Sequence, residues 1–501
     1  MYHNPLFAID FYKVDHRRQY PECTTEVYSN LTPRYVKPCH SLLHDFDNQV
    51  VVFGVQAFIE EVLIEQWQHG FFDRPQFEVI KEYSDMMYSA LGIEAFDCSH
   101  IAALHDLGYL PIKIKAINEG FRVPIGVPVL TIRNTHPDFY WLTNYLETIL
   151  SASLWKSMTA ATIAFEMKRI LTSMCKKTGG DESFIPYQAH DFSFRGMSGL
   201  HDAANTGAAH LTSFIGTDCV PAIEYMNRHY AGSATVEPVG TSVPATEHSV
   251  MCCDGVDGEF AMIKRLITEV YPDGIVSIVS DSFNLWQVLT VYLPSLYKEI
   301  HDRQGKVVIR PDSGDPADII CGDMLAPPDS PAHKGALQCL WDAFGGRINS
   351  EGYKELNSKI GLIYGDAITV DKARFILELM EEKGFASTNI VFGMGSYTYQ
   401  YVTRDTFGFA VKATSAVVNG ERREIFKNPI TGDGNKKSAR GLLMVDLDQE
   451  TGRFFVLDRQ SGGTEGAGWL QTVYEDGKLL NHTNLVEIRK NLSIELEQFS
   501  E

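Results

Sequence analysis

A guanidinium and two carboxylates crowd into Arg310-Pro311-Asp312-Ser313-Gly314-Asp315, directly behind the β-branched run Val307-Val308-Ile309. The run reads as a short buried strand whose end delivers those charges into a loop stiffened by glycine and proline. Charges at the end of a buried strand are costly unless they meet a ligand, a metal or one another. Three nearby runs end in the same way: Val276–Asp281 in Ser280-Asp281, Ile360–Asp366 in Gly365-Asp366, and Asn389–Ser396 in the turn Gly393-Met394-Gly395-Ser396. One such turn alone is most simply a helix N-cap. Arg310 and Asp312 in one turn, beside Asp281 and Asp366, read better as a site.

Other chemically useful residues lie elsewhere. His190-Asp191-Phe192-Ser193-Phe194-Arg195-Gly196 alternates aromatic rings with Asp and Arg. That set suits a planar polar ring, with stacking from phenylalanine and hydrogen bonds from arginine. Gly216-Thr217-Asp218 places another carboxylate at a strand or loop end. His248 follows Glu247 within Thr241–Ser249, and a loop histidine of this kind is more often structural than chemical. Arg404 and Lys412 precede the densest basic cluster, formed by Arg422, Arg423, Lys427, Lys436, Lys437 and Arg440. In a chain of formal charge −20, such clustering indicates a phosphate or pyrophosphate site, or else a solvated basic loop. Residues 1–40 combine Tyr12, Tyr20 and Tyr28 with Lys13, Arg17, Arg18 and Arg34, which suits phosphate, a partner surface or an exposed arm.

The elements that must position these residues follow from periodicity. Each of the four apolar runs precedes a stretch that can be helical; Asp371–Lys383, for instance, sets Phe375/Leu379 and Ile376/Met380 at i,i+4 spacing. Repeated strand–loop–helix units predict a parallel α/β sheet or barrel with its ligand at the carboxyl ends of the strands. Residues 50–107 read as helical, Leu110–Ala116 and Val123–Arg133 as two half-exposed strands, and Tyr140–Met174 as a long amphipathic helix. Residues 175–186 read as a loop at a domain junction, and Ala326–Gly335 as a surface insertion. Leu442–Asp458 reads as a hairpin turning at Glu450-Thr451-Gly452, with a further turn at Glu475-Asp476-Gly477.

At 501 residues the chain is long enough for two domains and a sizeable core. Its acidity argues against general nucleic-acid binding and adhesion to anionic membranes. No apolar run approaches a membrane span, and the N-terminus lacks a signal-peptide core. Nine cysteines without a Cys-x-x-Cys pair suit reduced thiols in a cytoplasmic protein.

Several stretches occur together in one order along nearly the whole chain. They are Tyr12-Lys13-Val14, Gln19-Tyr20-Pro21, Tyr140–Asn144, His190–Gly196, Gly216–Asp218, Ser242–Ser249 and Val279–Ser282. Ile309–Gly314, Gly365-Asp366, Thr403–Asp405, Asn419-Gly420, Phe426-Lys427, Asn435–Ser438 and Glu487–Asn491 complete the series. In these stretches the chain resembles the nicotinamide phosphoribosyltransferases, type II phosphoribosyltransferases of NAD salvage. The resemblance implies transfer of a 5-phosphoribosyl group from phosphoribosyl pyrophosphate to nicotinamide, giving nicotinamide mononucleotide and pyrophosphate. It implies an α/β fold: a barrel-like catalytic domain (181–399) and an α+β domain built from both chain ends (1–180 with 400–501). It further implies a homodimer with active sites at the subunit interface, each completed by the partner's N-terminal tyrosine.

Carried over residue by residue, the resemblance implies that Asp312, Asp281 and Asp366 hold the ribose or the metal-bound donor, with Mg²⁺ held mainly through substrate and Asp281 and Asp312 as its candidate protein ligands. Arg310, Ser242, Ser277 and Gly365 line the substrate. Phe192 and a partner's Tyr12 sandwich the pyridine, while Arg195 meets the amide oxygen and Asp218 the amide NH₂. Gly393, Gly395 and Ser396 cradle the 5-phosphate, and Arg34, Arg404, Lys412, Lys427 and Lys436 grip phosphate and pyrophosphate. His248, with Glu247 beside it, matches a histidine phosphorylated by ATP, so ATP is implied as co-substrate. Two positions depart from the family pattern: Phe194 replaces a tyrosine, and Gly393-Met394-Gly395-Ser396-Tyr397 replaces Gly-Ser-Gly-Gly-Gly, placing side chains where glycine permits positive φ.

Three other readings compete. Nicotinate phosphoribosyltransferase shares the donor chemistry, but Asp218 would repel a carboxylate. A non-catalytic nucleotide-binding or secreted signalling protein on the same scaffold would not need Arg310, Asp312, His248 and the lysines. A sugar-phosphate isomerase or aldolase barrel leaves Phe192, Arg195 and Asp218 unexplained.

Overall fold

A computed structural model describes residues 3–37, 45–93, 96–231, 238–427, 439–497 and 499. Among the described residues, three pairs of strands stand apart and the rest lie in two large sheets. One is antiparallel, in the order Glu421–Glu424, Ala410–Val418, Thr24–Thr32, Leu130–Asn134, Ile112–Ala116, Gln471–Glu475, Lys478–Leu479, so both chain ends build it. The residues around Tyr28 are therefore no exposed arm: Thr24–Thr32 is a central strand, with Tyr28 and Leu31 buried.

The other sheet is parallel. Its strands are β1 (Ala189–Asp191), β2 (Gly216–Thr217), β3 (Asp273–Val279), β4 (Gln304–Arg310), β5 (Ile360–Tyr364) and β6 (Ile390–Met394). They lie side by side in the order β2-β1-β6-β5-β4-β3. Val276, Val307, Ile309, Leu362, Ile390 and Phe392 are buried, as expected of strands covered on both faces. Helices alternate with these strands, including Val370–Glu382 between β5 and β6, whose Ile376 and Met380 face the core.

Thr241–Thr246 joins the two edges of this sheet. Thr217 N–H donates to Thr241 O (2.9 Å) and Thr241 N–H to Ile215 O (2.8 Å) at the β2 edge. Ser277 N–H donates to Pro244 O (2.9 Å) and Thr246 N–H to Ser277 O (3.0 Å) at the β3 edge. One irregular segment thus closes the curled sheet into a barrel.

Three segments differ from the sequence reading. Val123–Arg133 is two strands rather than one: Arg122–Pro124 pairs with Gln49–Val51, and Leu130–Asn134 enters the large antiparallel sheet. Gly126, at φ 93°, turns the chain between them. In place of the loop expected over 175–186, the long helix Glu147–Lys177 continues to Lys177 and a 3-10 turn forms over Glu182–Tyr187. Ala326–Gly335 includes a short helix, Pro331–Lys334. The eight described cysteines form no disulfide, and no helix among the described residues is long and apolar enough to cross a membrane.

Candidate active site

The barrel carboxylates converge where β3, β4 and β5 end. Asp281 accepts hydrogen bonds on one oxygen from Asp312 N–H (2.9 Å) and Ser313 Oγ–H (2.6 Å). Its other oxygen faces His248 Nε2 at 3.2 Å. His248 opens the helical turn His248–Met251, so its half-exposed ring stands at the barrel mouth above a nearly buried Asp281. Burial raises the Asp312 carboxyl above its usual range; Arg310 opposes this, while Asp281 and Asp366 add to it. Such a group gains from a ligand that brings hydroxyls or positive charge.

Beside this cluster lies an aromatic floor. Phe192 N–H donates to Met394 O (2.9 Å), and its ring lies over β6 and the residue that follows β5. A Cβ on Gly393 would stand 2.5 Å from that ring, and one on Gly365 3.4 Å, so glycine makes room for it. The Arg310 guanidinium lies 5.8 Å from the ring centroid, and the His190 ring packs against it at 4.8 Å. His190 Nε2 pairs with Asp218 Oδ1 at 2.8 Å, and Ser242 Oγ–H donates to the same oxygen. Burial alone would raise the Asp218 carboxyl, but the bonds from His190 and Ser242 outweigh it and hold the group below its usual range.

His190, Phe192, Asp218, Ser242, Ser277 and Arg310 line a cavity of about 960 Å³, at the upper end of the range for small-molecule sites. It continues through the barrel to Lys306, whose ammonium is destabilised by burial. Buried polar atoms normally have partners, yet Ser277 Oγ and Arg310 Nε make no hydrogen bond among the described residues. Both residues line the cavity, where a polar ligand would satisfy them.

The turn after β6 is built without left-handed residues: Gly395 has φ −117°, and Met394, Ser396 and Tyr397 are absent from the positive-φ positions. The side chains that replace glycine here are therefore compatible with its backbone. Ser396 heads the short helix Ser396–Tyr399 and packs on Gly196, where a Cβ would meet it at 2.6 Å.

Of the cationic residues, Lys412 lies on the strand Ala410–Val418 of the antiparallel sheet. Burial lowers the Lys412 ammonium, Glu147 opposes this, and Arg34, Lys427 and Lys13 lower it further, which places these cations near one another. Lys13 is itself buried and paired with Glu147 at 2.5 Å. Arg404 meets Asp405 at 3.4 Å, and Tyr12 is 65% exposed. None of Tyr12, Arg34, Arg404, Lys412 and Lys427 lines the cavity. Arg195 is exposed on the turn Phe194–Gly196 and does not line it either. Glu247 accepts from Ser249 Oγ–H, so Asp281 is the carboxylate paired with His248. Lys436 lies outside the described residues.

Residues 187–478 match the model of the nicotinate phosphoribosyltransferase family, and residues 4–114 match the N-terminal domain of nicotinamide phosphoribosyltransferase. Over 504 aligned residues, 99% of each chain, the protein is 55% identical to a nicotinamide phosphoribosyltransferase of Acinetobacter baylyi. The chain belongs to the nicotinamide phosphoribosyltransferase family. It is also 34% identical to the Xanthomonas campestris nicotinamide phosphoribosyltransferase, across 97% of both chains. Two solved structures share the fold at 14% identity: a Pyrococcus furiosus nicotinate-nucleotide pyrophosphorylase (TM-score 0.59, 99% of this chain and 97% of that one) and human nicotinic acid phosphoribosyltransferase (TM-score 0.53, 98% and 93%).

Two features of this family member were not apparent as site features in the sequence. His190 was legible only as part of a ring-binding stretch, whereas it orients Asp218. The barrel-closing role of Thr241–Thr246 has no apolar periodicity to reveal it.

Proposed function

We propose that the protein transfers the 5-phosphoribosyl group of phosphoribosyl pyrophosphate to the pyridine nitrogen of nicotinamide. The observation that carries this reading is Asp218, ionised and fixed by His190 and Ser242 on the cavity wall beside Phe192. An ionised carboxylate there accepts a hydrogen bond from an amide NH₂ and repels the carboxylate of nicotinate. Phe192 supports the ring from below, and it favours the pyridinium product because the ring becomes cationic as the new bond forms.

In the transfer, the bond from ribose C1 to the pyrophosphate oxygen breaks and the electron pair leaves with pyrophosphate. The pyridine lone pair forms the new C1–N bond, and no proton need move. Asp312, Asp281 and Asp366 face the ribose, whose C1 carries positive charge in the transition state. Mg²⁺ would be held chiefly through pyrophosphate, with Asp281 and Asp312 as its candidate protein ligands. When bound, that ion neutralises charge on the leaving group.

Lys412 stands with Arg34 and Lys427 on the part of the chain built from both ends, and with Tyr12 these cations would complete the site of a second copy in a homodimer. His248, held by Asp281 through one nitrogen, keeps its other nitrogen available to accept the γ-phosphoryl group of ATP, which couples ATP hydrolysis to turnover. Purified protein given phosphoribosyl pyrophosphate, Mg²⁺ and nicotinamide forms nicotinamide mononucleotide, and ATP stimulates the rate in wild type but not in His248→Ala. Turnover without any ATP response in wild type would remove the phosphohistidine from this reading, and absence of turnover would remove the reading itself.

A further inference from the structure

We propose that Arg489, on the C-terminal helix Leu485–Glu497, is a positioning residue for the base site, a role that rests on reading Asp218 and Ser242 as the amide-binding pair. Its guanidinium ties together two stretches of barrel backbone. Nε and Nη2 donate to Leu211 O at 3.1 and 2.9 Å, and Nη2 also reaches Phe214 O at 3.3 Å. On the other stretch, Nη1 donates to Pro238 O at 3.0 Å and Nη2 to Val239 O at 2.9 Å. The first stretch leads through Ile215 into β2 and Asp218, and the second leads into Thr241 and Ser242.

Immediately beyond the clamp the stretches pair with each other, through Thr241 N–H to Ile215 O and Thr217 N–H to Thr241 O. At the far end of that ladder Ser242 meets Asp218. The planar fork of arginine holds several carbonyls at fixed angles, whereas a lysine ammonium acts as a point charge on a flexible stem. Arg489 therefore sets the register in which the barrel-closing segment meets the strand of Asp218, and the Ser242–Asp218 pair inherits that register. The same helix docks elsewhere by other residues: Asn491 Nδ2 donates to Glu119 O at 3.2 Å, and the Ile488 backbone packs on Gly120.

The test compares Arg489→Lys with Asn491→Ala and Gly240→Ala. A Cβ on Gly240 would stand 2.9 Å from Thr217 Cγ2 and 3.1 Å from Ile223, so this variant strains the same joint with Arg489 intact and serves if Arg489→Lys does not fold. Arg489→Lys and Gly240→Ala are expected to raise the nicotinamide KM about tenfold, with kcat and the donor KM changed less than about twofold. Both also speed amide hydrogen exchange at Thr217 and Thr241. Asn491→Ala lowers the melting temperature while leaving the nicotinamide KM and both amides unchanged. Equal rises in both KM values, or unaltered exchange at those amides, would overturn the role of Arg489. Failure of wild type to use nicotinamide would instead overturn the functional reading, and the exchange measurement would still decide whether Arg489 sets the register.

Discussion

Asp312 and Asp218 are both partly buried carboxyls, but their neighbours move them in opposite directions. Burial raises Asp312, with Asp281 and Asp366 adding to the shift against the pull of Arg310. An acid raised by folding destabilises the fold when ionised; that cost is full above the folded pKa and disappears below the unfolded one, roughly 3.9. Asp312→Asn is therefore expected to melt higher than wild type at about pH 8 and to lose this advantage as the pH approaches about 4, with turnover down by about 100-fold or more. Thermal melts across pH with a single-turnover assay check this, and a lower melting temperature at pH 8 would contradict it. At Asp218 the bonds from His190 and Ser242 overcome burial, so the folded pKa is depressed. Its stabilisation is present above the unfolded pKa and is lost as pH falls through the folded value. These signs depend on neighbours from distant strands. The sequence shows Asp312 and Asp218 as strand-end carboxylates but not which would be raised and which depressed.

At the scale of elements, the four barrel strands with strong apolar runs were legible because each run is β-branched and stops at a polar turn. The edges were less so. β2 is only Gly216–Thr217, and Thr241–Thr246 is held by bonds to strands distant in sequence, so neither carries a local signature. Val123–Arg133 alternates like one strand, but Pro124, Gly126 and Pro128 interrupt it, and those residues end one strand and turn the chain before the next. Glycine roles depend equally on tertiary contact. Gly393 stands in an ordinary strand position, yet a Cβ there would lie 2.5 Å from Phe192 and 2.7 Å from Gly365 Cα. Gly393→Ala is expected to cost about 1–3 kcal/mol of stability and to raise the nicotinamide KM tenfold or more by displacing the aromatic floor. Denaturant melts and steady-state kinetics report the two effects, and a stable variant with an unchanged KM would show that Phe192 does not support the base.

For the whole molecule, the base site lines the barrel cavity and Asp281, Asp312 and Asp366 stand at barrel strand ends, whereas Lys412, with Arg34 and Lys427 near it, lies on the sheet built from both chain ends. If two chains share each site, a heterodimer of an Asp312→Asn chain with a Lys412→Ala chain contains one intact site and one doubly defective site. Differently tagged, co-purified chains should then recover about half of wild-type activity although each parental homodimer is nearly inactive. A heterodimer as inactive as its parents would place all the groups of a site in one chain. On the proposed reading, an ionised Asp218 selects the amide. That selection is tested most directly by giving the enzyme equal nicotinamide and nicotinate with limiting phosphoribosyl pyrophosphate and measuring the ratio of the two mononucleotides formed. A hydrogen bond to a charged group contributes about 1.5–3 kcal/mol, so the ratio should favour nicotinamide mononucleotide by at least about tenfold and fall by a similar factor in Asp218→Asn. A ratio near one, or one favouring nicotinate mononucleotide in wild type, would contradict the assignment.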